Sequence, residues 1–264
     1  MQEKTIKEQQ KQRNGLPKDG QPKDRLKPIE KYHGLTEAQI IHVYKSMVIN
    51  RVTDDRIDVL IKQGRAAFLI SGAGHEAVQV AFALALTPKK DWVFPYYRDN
   101  ALGIAMGITS ENILQHIMGR ATDPFTGGRQ MSMHLGSKEL RMPTQSSPTG
   151  SQFLQAVGAA ISCVFRKTDE VVYVSGGEGS TSEGEFFEAI NWSARAKLPI
   201  IFCIQNNKFA ISVPVEDQTA GGSVYKACAG FEDLHRVQFD GTNFLESYKA
   251  AREAVKIARS GKGP

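Results

Sequence analysis

The chain has 264 residues, 41% hydrophobic and 23% charged, with a formal net charge of +5. That length and balance fit one large α/β domain with a sizeable core. They exclude a low-complexity chain, a disulfide scaffold (Cys163, Cys203 and Cys228 are isolated) and, as no apolar run reaches bilayer length, a helical membrane span.

Much of the positive excess lies in the first 31 residues, from Lys4 to Lys31. A basic tail can bind nucleic acid. This one has no aromatic residue before Tyr32, and it interleaves Glu3, Glu8, Asp19, Asp24 and Glu30 among its lysines. Residues 1–33, punctuated by Gly15, Pro17, Gly20, Pro22 and Pro28, therefore read as a flexible basic arm. The arm has no apolar signal region, and its acids do not suit a transit peptide. Isolated, core-type cysteines imply a reducing compartment, so we expect a cytoplasmic protein binding neither nucleic acid nor membrane.

Residues 34–264 read as one α/β domain. Thr36-Glu37-Ala38-Gln39 forms a capping box, and Ile40, Val43, Tyr44, Met47 and Val48 predict one apolar face of a helix running to Gly64. Phe68-Leu69-Ile70 is short and is broken by Ser71-Gly72-Ala73-Gly74. An apolar helix follows from His75 and Glu76 towards Pro88, with His75 expected as a first-turn residue. Asp91–Phe94 reads as a strand ending in Tyr97-Arg98-Asp99. An arginine fork at a strand end suits phosphate oxygens, and a surface ion pair with Asp99 is the other reading. Short helices are expected over Ala101–Gly107 and over Ser110–Met118, the second capped by Thr109. Gly127–Gly136 is an aperiodic loop, and Ser146–Gln152 leads into a helix over Phe153–Phe165.

The chain is organised around Val171–Pro214. Val171–Val174 is a buried strand, Gly176-Gly177-Glu178-Gly179 a turn, and a helix with Phe186, Phe187, Ala189 and Ile190 inward ends before Pro199. Ile200–Ile204 is the second strand, and Asn206-Asn207 closes it. Strand–helix–strand implies parallel strands with a right-handed crossover. Ligands of such sheets bind beyond the strands' carboxyl ends, where Glu178 and Asn207 both fall. A carboxylate and an amide oxygen are hard ligands of the kind magnesium or calcium takes, and a glycine turn before a helix suits an anion. A diphosphate held through a divalent cation meets both conditions. Farther on, Arg236–Phe239 reads as a strand and Phe244–Arg259 as a helix, with a short helix at Ser223–Ala229 before them.

Gly177-Glu178-Gly179, 26 residues, then Asn206-Asn207 resembles the thiamine diphosphate motif, with Glu in place of the commoner Asp. Ser182-Glu183-Gly184 and Asn207–Ser212 make it similar to alpha subunits of the decarboxylating component of branched-chain 2-oxo acid dehydrogenases. The likeness covers roughly residues 35–264. It implies a parallel sheet with helices on both faces in the thiamine diphosphate-binding fold. Magnesium would be held by Glu178, Asn207 and the Phe209 carbonyl, and the cofactor by Tyr97, Arg98, Ser147, Thr149, Gly177, Glu178, Gly179, Ser180 and Asn207. Ser146, Pro148, Ser151 and Gln152 would bind potassium; Ser151 as a plain helix cap is the other reading. Thr149 would lie under the aminopyrimidine, although the family form has a larger aliphatic residue there.

Arg129–Gly136 resembles a segment bordering the active-site channel. That makes His134 the histidine candidate for a catalytic role, beside the reading that it merely bonds a backbone carbonyl. The resemblance further implies a beta subunit or fused beta domain, an alpha2beta2 assembly, a 2-oxo acid substrate and acyl transfer to a lipoyl-bearing acyltransferase core. Because relatives continue past the position of Pro264, the chain is expected to be truncated there and inactive alone. Alternatives are a pyruvate or acetoin dehydrogenase alpha subunit, a transketolase-like enzyme, a phosphate-binding module (for which Gly177–Ser182 lacks a third glycine) and nucleic-acid binding by the arm.

Overall fold

The computed structural model describes residues 32–264. The expected basic arm lies outside the described residues, apart from Tyr32 and His33. Two units divide the chain, residues 1–38 and 39–264, and the site belongs wholly to the second.

Helix α1 spans Glu37–Lys62. Gly64 ends it in the left-handed region (φ 68°), with Gly64 N–H donating to Ile61 O and Arg65 N–H to Leu60 O. That pairing satisfies the last carbonyls, and glycine adopts the conformation without strain. The buried face keeps Val43, with Ile40 and Met47 half-buried, but is shifted from the expected one. Val43, Ser46, Asn50, Thr53, Asp54, Ile57 and Leu60 face inward, whereas Tyr44 and Val48 are exposed. The polar inward side chains have work to do: Asp54 Oδ2 accepts from Ser71 Oγ (2.7 Å) and Gly72 N–H (3.0 Å). Hydropathy found the Val43–Met47 side of this stripe but missed its polar members, because it cannot see a loop that needs acceptors.

Helix α2 (Glu76–Ala85) precedes β1 (Trp92–Phe94), and two short helices follow, α3 (Asn100–Ala105) and α4 (Ser110–Ile117). Thr109 caps α4 reciprocally with Asn112, as its sequence suggests. Helix α5 (Gln152–Phe165), β2 (Val172–Gly177), α6 (Gly184–Arg195) and β3 (Ile200–Gln205) come next. The strands are parallel in the order β1-β2-β3, with Val93 opposite Tyr173 and Tyr173 opposite Ile201.

Alternation sends the strand side chains to both faces. Val171, Tyr173, Ile201 and Cys203 pack on one side with Val78 and Phe82 of α2 and with Ala251 and Val255 of α9 (Phe244–Arg259). Val172, Val174 and Ile200 pack on the other with Phe153 of α5 and with Phe186 and Ile190 of α6. Both faces are covered, which is why these strands read as continuous apolar runs. Between β3 and α9 lie a small hairpin, β4 (Phe209–Ala210) with β5 (Val213–Pro214), and two one-turn helices, α7 (Val215–Gln218) and α8 (Val224–Ala227). Arg259 fastens α9 to the start of β1 through a two-pronged ion pair with buried Asp91 (2.7 and 3.1 Å).

The strand expected over Arg236–Phe239 does not form, and Val237 is exposed. The alternation is present, but a strand also needs a backbone partner. Here a cleft of about 880 Å³ is lined by β3 residues on one side and by Arg236–Phe239 on the other.

Candidate functional site

Gly177 and Gln205 are register partners, so the chain leaves β2 and β3 at the same level. Glu178 starts a tight turn (Glu178–Ser182) that carries its side chain inward, leaving it 1% exposed. Its Oε2 accepts from Asn207 N–H at 3.2 Å, whereas its buried Oε1 has no hydrogen-bond partner. A buried carboxylate oxygen without a donor or cation costs free energy. Asn207 Oδ1 accepts from Phe209 N–H at 2.9 Å and keeps a second lone pair. The chain around it turns through left-handed positions at Lys208 (φ 72°) and Ile211 (φ 58°). Gln218 Nε2 donates to the carbonyls of Glu178 and Gly179, both at 3.1 Å, and so holds the turn.

Among the described residues no three of His, Cys, Asp or Glu converge on a metal position. A cation here would have Glu178 as its one carboxylate, completed by amide, carbonyl and ligand oxygens. Magnesium carried by a diphosphate binds in that way, and the residues present fit it.

Gly176, expected in the turn, lies in β2 just before it and is closely packed. A Cβ there would stand 2.6 Å from Phe153 Cζ and 2.7 Å from Ser180 Oγ. Ser180 is buried and donates to Gly177 O at 2.6 Å, so its hydroxyl serves the turn itself. Gly150, at φ 94°, lies against Glu183 and 3.4 Å (from its Cβ position) from Ser180 O. The Ser146–Gln152 segment is thereby brought beside the Gly-Glu-Gly turn. Within it, Ser151 Oγ donates to Pro148 O at 2.8 Å, and Gln152 accepts from Gly150 N–H and donates to Ser175 O. Ser151 occupies the N-cap position of α5, as the plain reading expects, but its side chain makes no cap hydrogen bond. Ser146 Oγ instead accepts from Gln155. Ser147 and Thr149 are exposed.

Half-buried Tyr97 and Arg98 leave β1 at the same edge. Arg98 Nη1 donates to Ser71 O at 2.8 Å, and no ion pair with Asp99 forms among the described residues. Asp99 is buried instead. It accepts from Ser175 Oγ, from Gln205 Nε2 (2.7 Å) and from Tyr96 N–H (3.4 Å). Burial pushes its carboxyl up to about 6 against the pull of those donors. Gln205 Oε1 accepts in turn from Gln79 Nε2 (3.0 Å) and His75 Nδ1 (3.1 Å). Burial, helped by the Arg98 charge, lowers the His75 pKa and favours the neutral ring. Asp99 and Gln205 form the polar floor of the site. Neither stood out in sequence, because a lone Asp after Tyr-Arg and a Gln closing an apolar strand carry no spacing signal.

His134 is buried. Its Nδ1 faces Ser132 O (2.9 Å) and its Nε2 faces Ser147 Oγ (3.0 Å). The carbonyl bond of the plainer reading is present on one nitrogen, and a hydroxyl of the Ser146–Gln152 segment faces the other. Behind it, His116 and Asp123 form a buried pair with no local sequence signal.

The family model described as "Dehydrogenase E1 component" matches residues 44–264. The chain belongs to that family. It is 40% identical over 231 residues to the 2-oxoisovalerate dehydrogenase subunit alpha of Bacillus subtilis, covering 88% of this chain and 70% of that one. It is 35% identical to the 3-methyl-2-oxobutanoate dehydrogenase subunit alpha of Mycobacterium tuberculosis (89% and 61%) and to the mitochondrial 2-oxoisovalerate dehydrogenase subunit alpha of Caenorhabditis elegans (84% and 51%). This E1 component chain thus spans between about half and seven tenths of these relatives' length. Among the described residues no helix is long and apolar enough to cross a membrane.

Proposed function

We propose that this chain is the cofactor-anchoring half of a thiamine diphosphate-dependent branched-chain 2-oxo acid dehydrogenase, in the thiamine diphosphate-binding fold. The observation that carries the reading is the buried, unpartnered Oε1 of Glu178 at the end of β2, opposite Asn207 at the end of β3. Glu178 Oε1, Asn207 Oδ1 and the Phe209 carbonyl would hold magnesium on the diphosphate. Arg98, with Nη1 on Ser71 O, has further N–H donors for phosphate oxygens beside half-buried Tyr97. Backbone groups of Gly177, Gly179 and Ser180 would line the diphosphate, and Ser147 and Thr149 the ring end. When bound, thiamine diphosphate supplies the carbanion and the electron sink for decarboxylation.

The chain's own residues hold and orient. The Asp99–Gln205–His75 floor keeps the strand ends in place, and the glycines give backbone N–H groups close approach. His134 Nε2 lies 3.0 Å from Ser147 Oγ and would orient that hydroxyl at the mouth of the site. Pro148 O and Ser151 Oγ, 2.8 Å apart, would contribute to a potassium site with Gln152 and Ser146. A beta subunit or fused beta domain would complete the channel in an alpha2beta2 assembly that passes acyl groups to a lipoyl-bearing core in the cytoplasm. Among the relatives, a Mycoplasma genitalium pyruvate dehydrogenase E1 component subunit alpha is 32% identical. The 40% likeness to the 2-oxoisovalerate type favours branched-chain substrates over pyruvate.

The test is calorimetry of thiamine diphosphate binding to the chain assembled with a beta partner, with and without magnesium, followed by turnover of 2-oxoisovalerate against pyruvate. Magnesium-dependent binding and preference for the branched acid are expected. Absence of binding overturns the cofactor reading, and preference for pyruvate overturns the substrate.

A further inference from the structure

The His116–Asp123 pair lies outside the proposed magnesium and diphosphate contacts, and its hydrogen bonds all run one way. Asp123 Oδ2 accepts from His116 Nδ1 (2.9 Å), Thr126 Oγ1 (2.8 Å), Thr126 N–H (3.2 Å) and Gly128 N–H (3.3 Å). Its Oδ1 accepts from Phe125 N–H (2.9 Å). These partners hold the carboxyl down at about 2, against the effect of burial, so it is an acceptor throughout the neutral range. His116 Nδ1 therefore carries the proton. On the other edge of the ring, His116 Nε2 faces the backbone N–H of His134 at 3.0 Å. A backbone N–H can only donate, so Nε2 has none to give. The ring is neutral and confined to one tautomer by two partners that cannot exchange roles.

The same logic passes one ring further. His134 Nδ1 faces the Ser132 carbonyl, which can only accept, so Nδ1 carries a proton; in the neutral ring Nε2 is then the acceptor and the Ser147 hydroxyl the donor. Ser147 Oγ, in an exposed residue, then shows only lone pairs to a ligand. The arrangement is held against local strain. Met133, immediately before His134, is buried in the left-handed region (φ 70°), which a non-glycine residue leaves unless its surroundings fix it.

We infer that His116 and Asp123 are positioning residues: through His134 they present Ser147 Oγ as a hydrogen-bond acceptor to an N–H or O–H donor of the bound cofactor or substrate. This rests on the function proposed above for the Ser147 segment. Neither residue touches a ligand. Their effect arrives through the His134 backbone and is read out at Ser147.

Two substitutions separate positioning from bulk. His116→Gln places an amide oxygen where Nε2 was and keeps an acceptor for His134 N–H. His116→Asn keeps a donor for Asp123 and loses that acceptor. In the assembly with a beta partner, His116→Asn is expected to weaken thiamine diphosphate binding, or raise KM for the 2-oxo acid, about tenfold, the worth of one hydrogen bond. Which constant moves tells whether the donor belongs to the cofactor or to the substrate. His116→Gln should stay within about threefold of wild type, and in a Ser147→Ala background His116→Asn should have no further effect. Additive losses overturn the inference and leave the proposed function standing. A wild type that binds no thiamine diphosphate overturns the function instead. Hydrogen exchange in the ligand-free assembly then still decides the inference: the peptide containing His134 should lose protection with His116→Asn and keep it with His116→Gln. Equal protection in both overturns it.

Discussion

Glu178→Gln should move stability in opposite directions with and without ligand. Glu178 is 1% exposed, and one carboxylate oxygen has no partner. Glutamine keeps an oxygen for Asn207 N–H and removes the buried charge. An unsatisfied buried group costs ~1–3 kcal/mol, and more when charged. Exchanging a charged orphan for a neutral one should therefore recover about 1 kcal/mol, or about 2–4 °C in Tm for a chain of this size. The ligand-bound comparison runs the other way. At magnesium and cofactor levels about 100 times Kd, binding stabilises the wild type by ~2.7 kcal/mol, which corresponds to a rise of about 5–11 °C. The variant, lacking the ionic ligand, should show almost none of that rise. Differential scanning fluorimetry of both proteins, assembled with a beta partner and measured with magnesium and thiamine diphosphate added singly and together, reads both signs. If Glu178→Gln retains the magnesium-dependent rise, the carboxylate is not the anchor and the reasoning fails.

Gly176→Ala would push a methyl group to within 2.6 Å of Phe153 Cζ and 2.7 Å of Ser180 Oγ. Overpacking of that kind costs ~1–3 kcal/mol, so Tm should fall by roughly 2–12 °C and cofactor affinity with it; an unchanged Tm would show that the turn yields freely. Asp99 and Asp123 should shape acid stability with opposite signs. Asp99 sits at about 6 when folded, above its ordinary 3.8, so the folded state holds the extra proton and stability falls as pH rises from about 4 to about 6. Asp123 sits at about 2, so its contribution is present above the ordinary value and is lost as pH falls from about 4 to about 2. Urea melts across that range should lose the first slope in Asp99→Asn and the second in Asp123→Asn. Arg259→Met should destabilise by about 1–3 kcal/mol, because Asp91 loses its charged partner while keeping the N–H groups of Thr87 and Val171; a Tm within a degree of wild type would refute that.

What could be read in the sequence was what periodicity and strand ends encode. The runs Val171–Val174 and Ile200–Ile204 announce buried parallel strands because both of their faces are covered, and Gly-Glu-Gly and Asn-Asn mark where those strands stop. Long-range polar partnerships were not legible. Asp99 meets Ser175 and Gln205 across 76 and 106 positions, and His116 meets His134 across 18. Nothing local distinguishes such residues from solvated ones. The same blindness explains α1, where Asn50, Thr53 and Asp54 turn inward in place of Tyr44 and Val48. Arg236–Phe239 fails for the complementary reason: its own pattern suits a strand, but strand formation depends on a neighbour.

The Asp99 carboxyl also has a consequence for how the chain folds. Its acceptors are filled from the segment after β1, from β2 and from β3, so no pair of these strands can satisfy it alone. Until all three have docked, burying it is uphill, and water keeps the strand ends apart. The partners that satisfy it come from strands far apart in the chain, contacts that are slow to meet in a parallel sheet. The residue that levels the floor of the site thus also ties together the ligand-binding ends of all three strands.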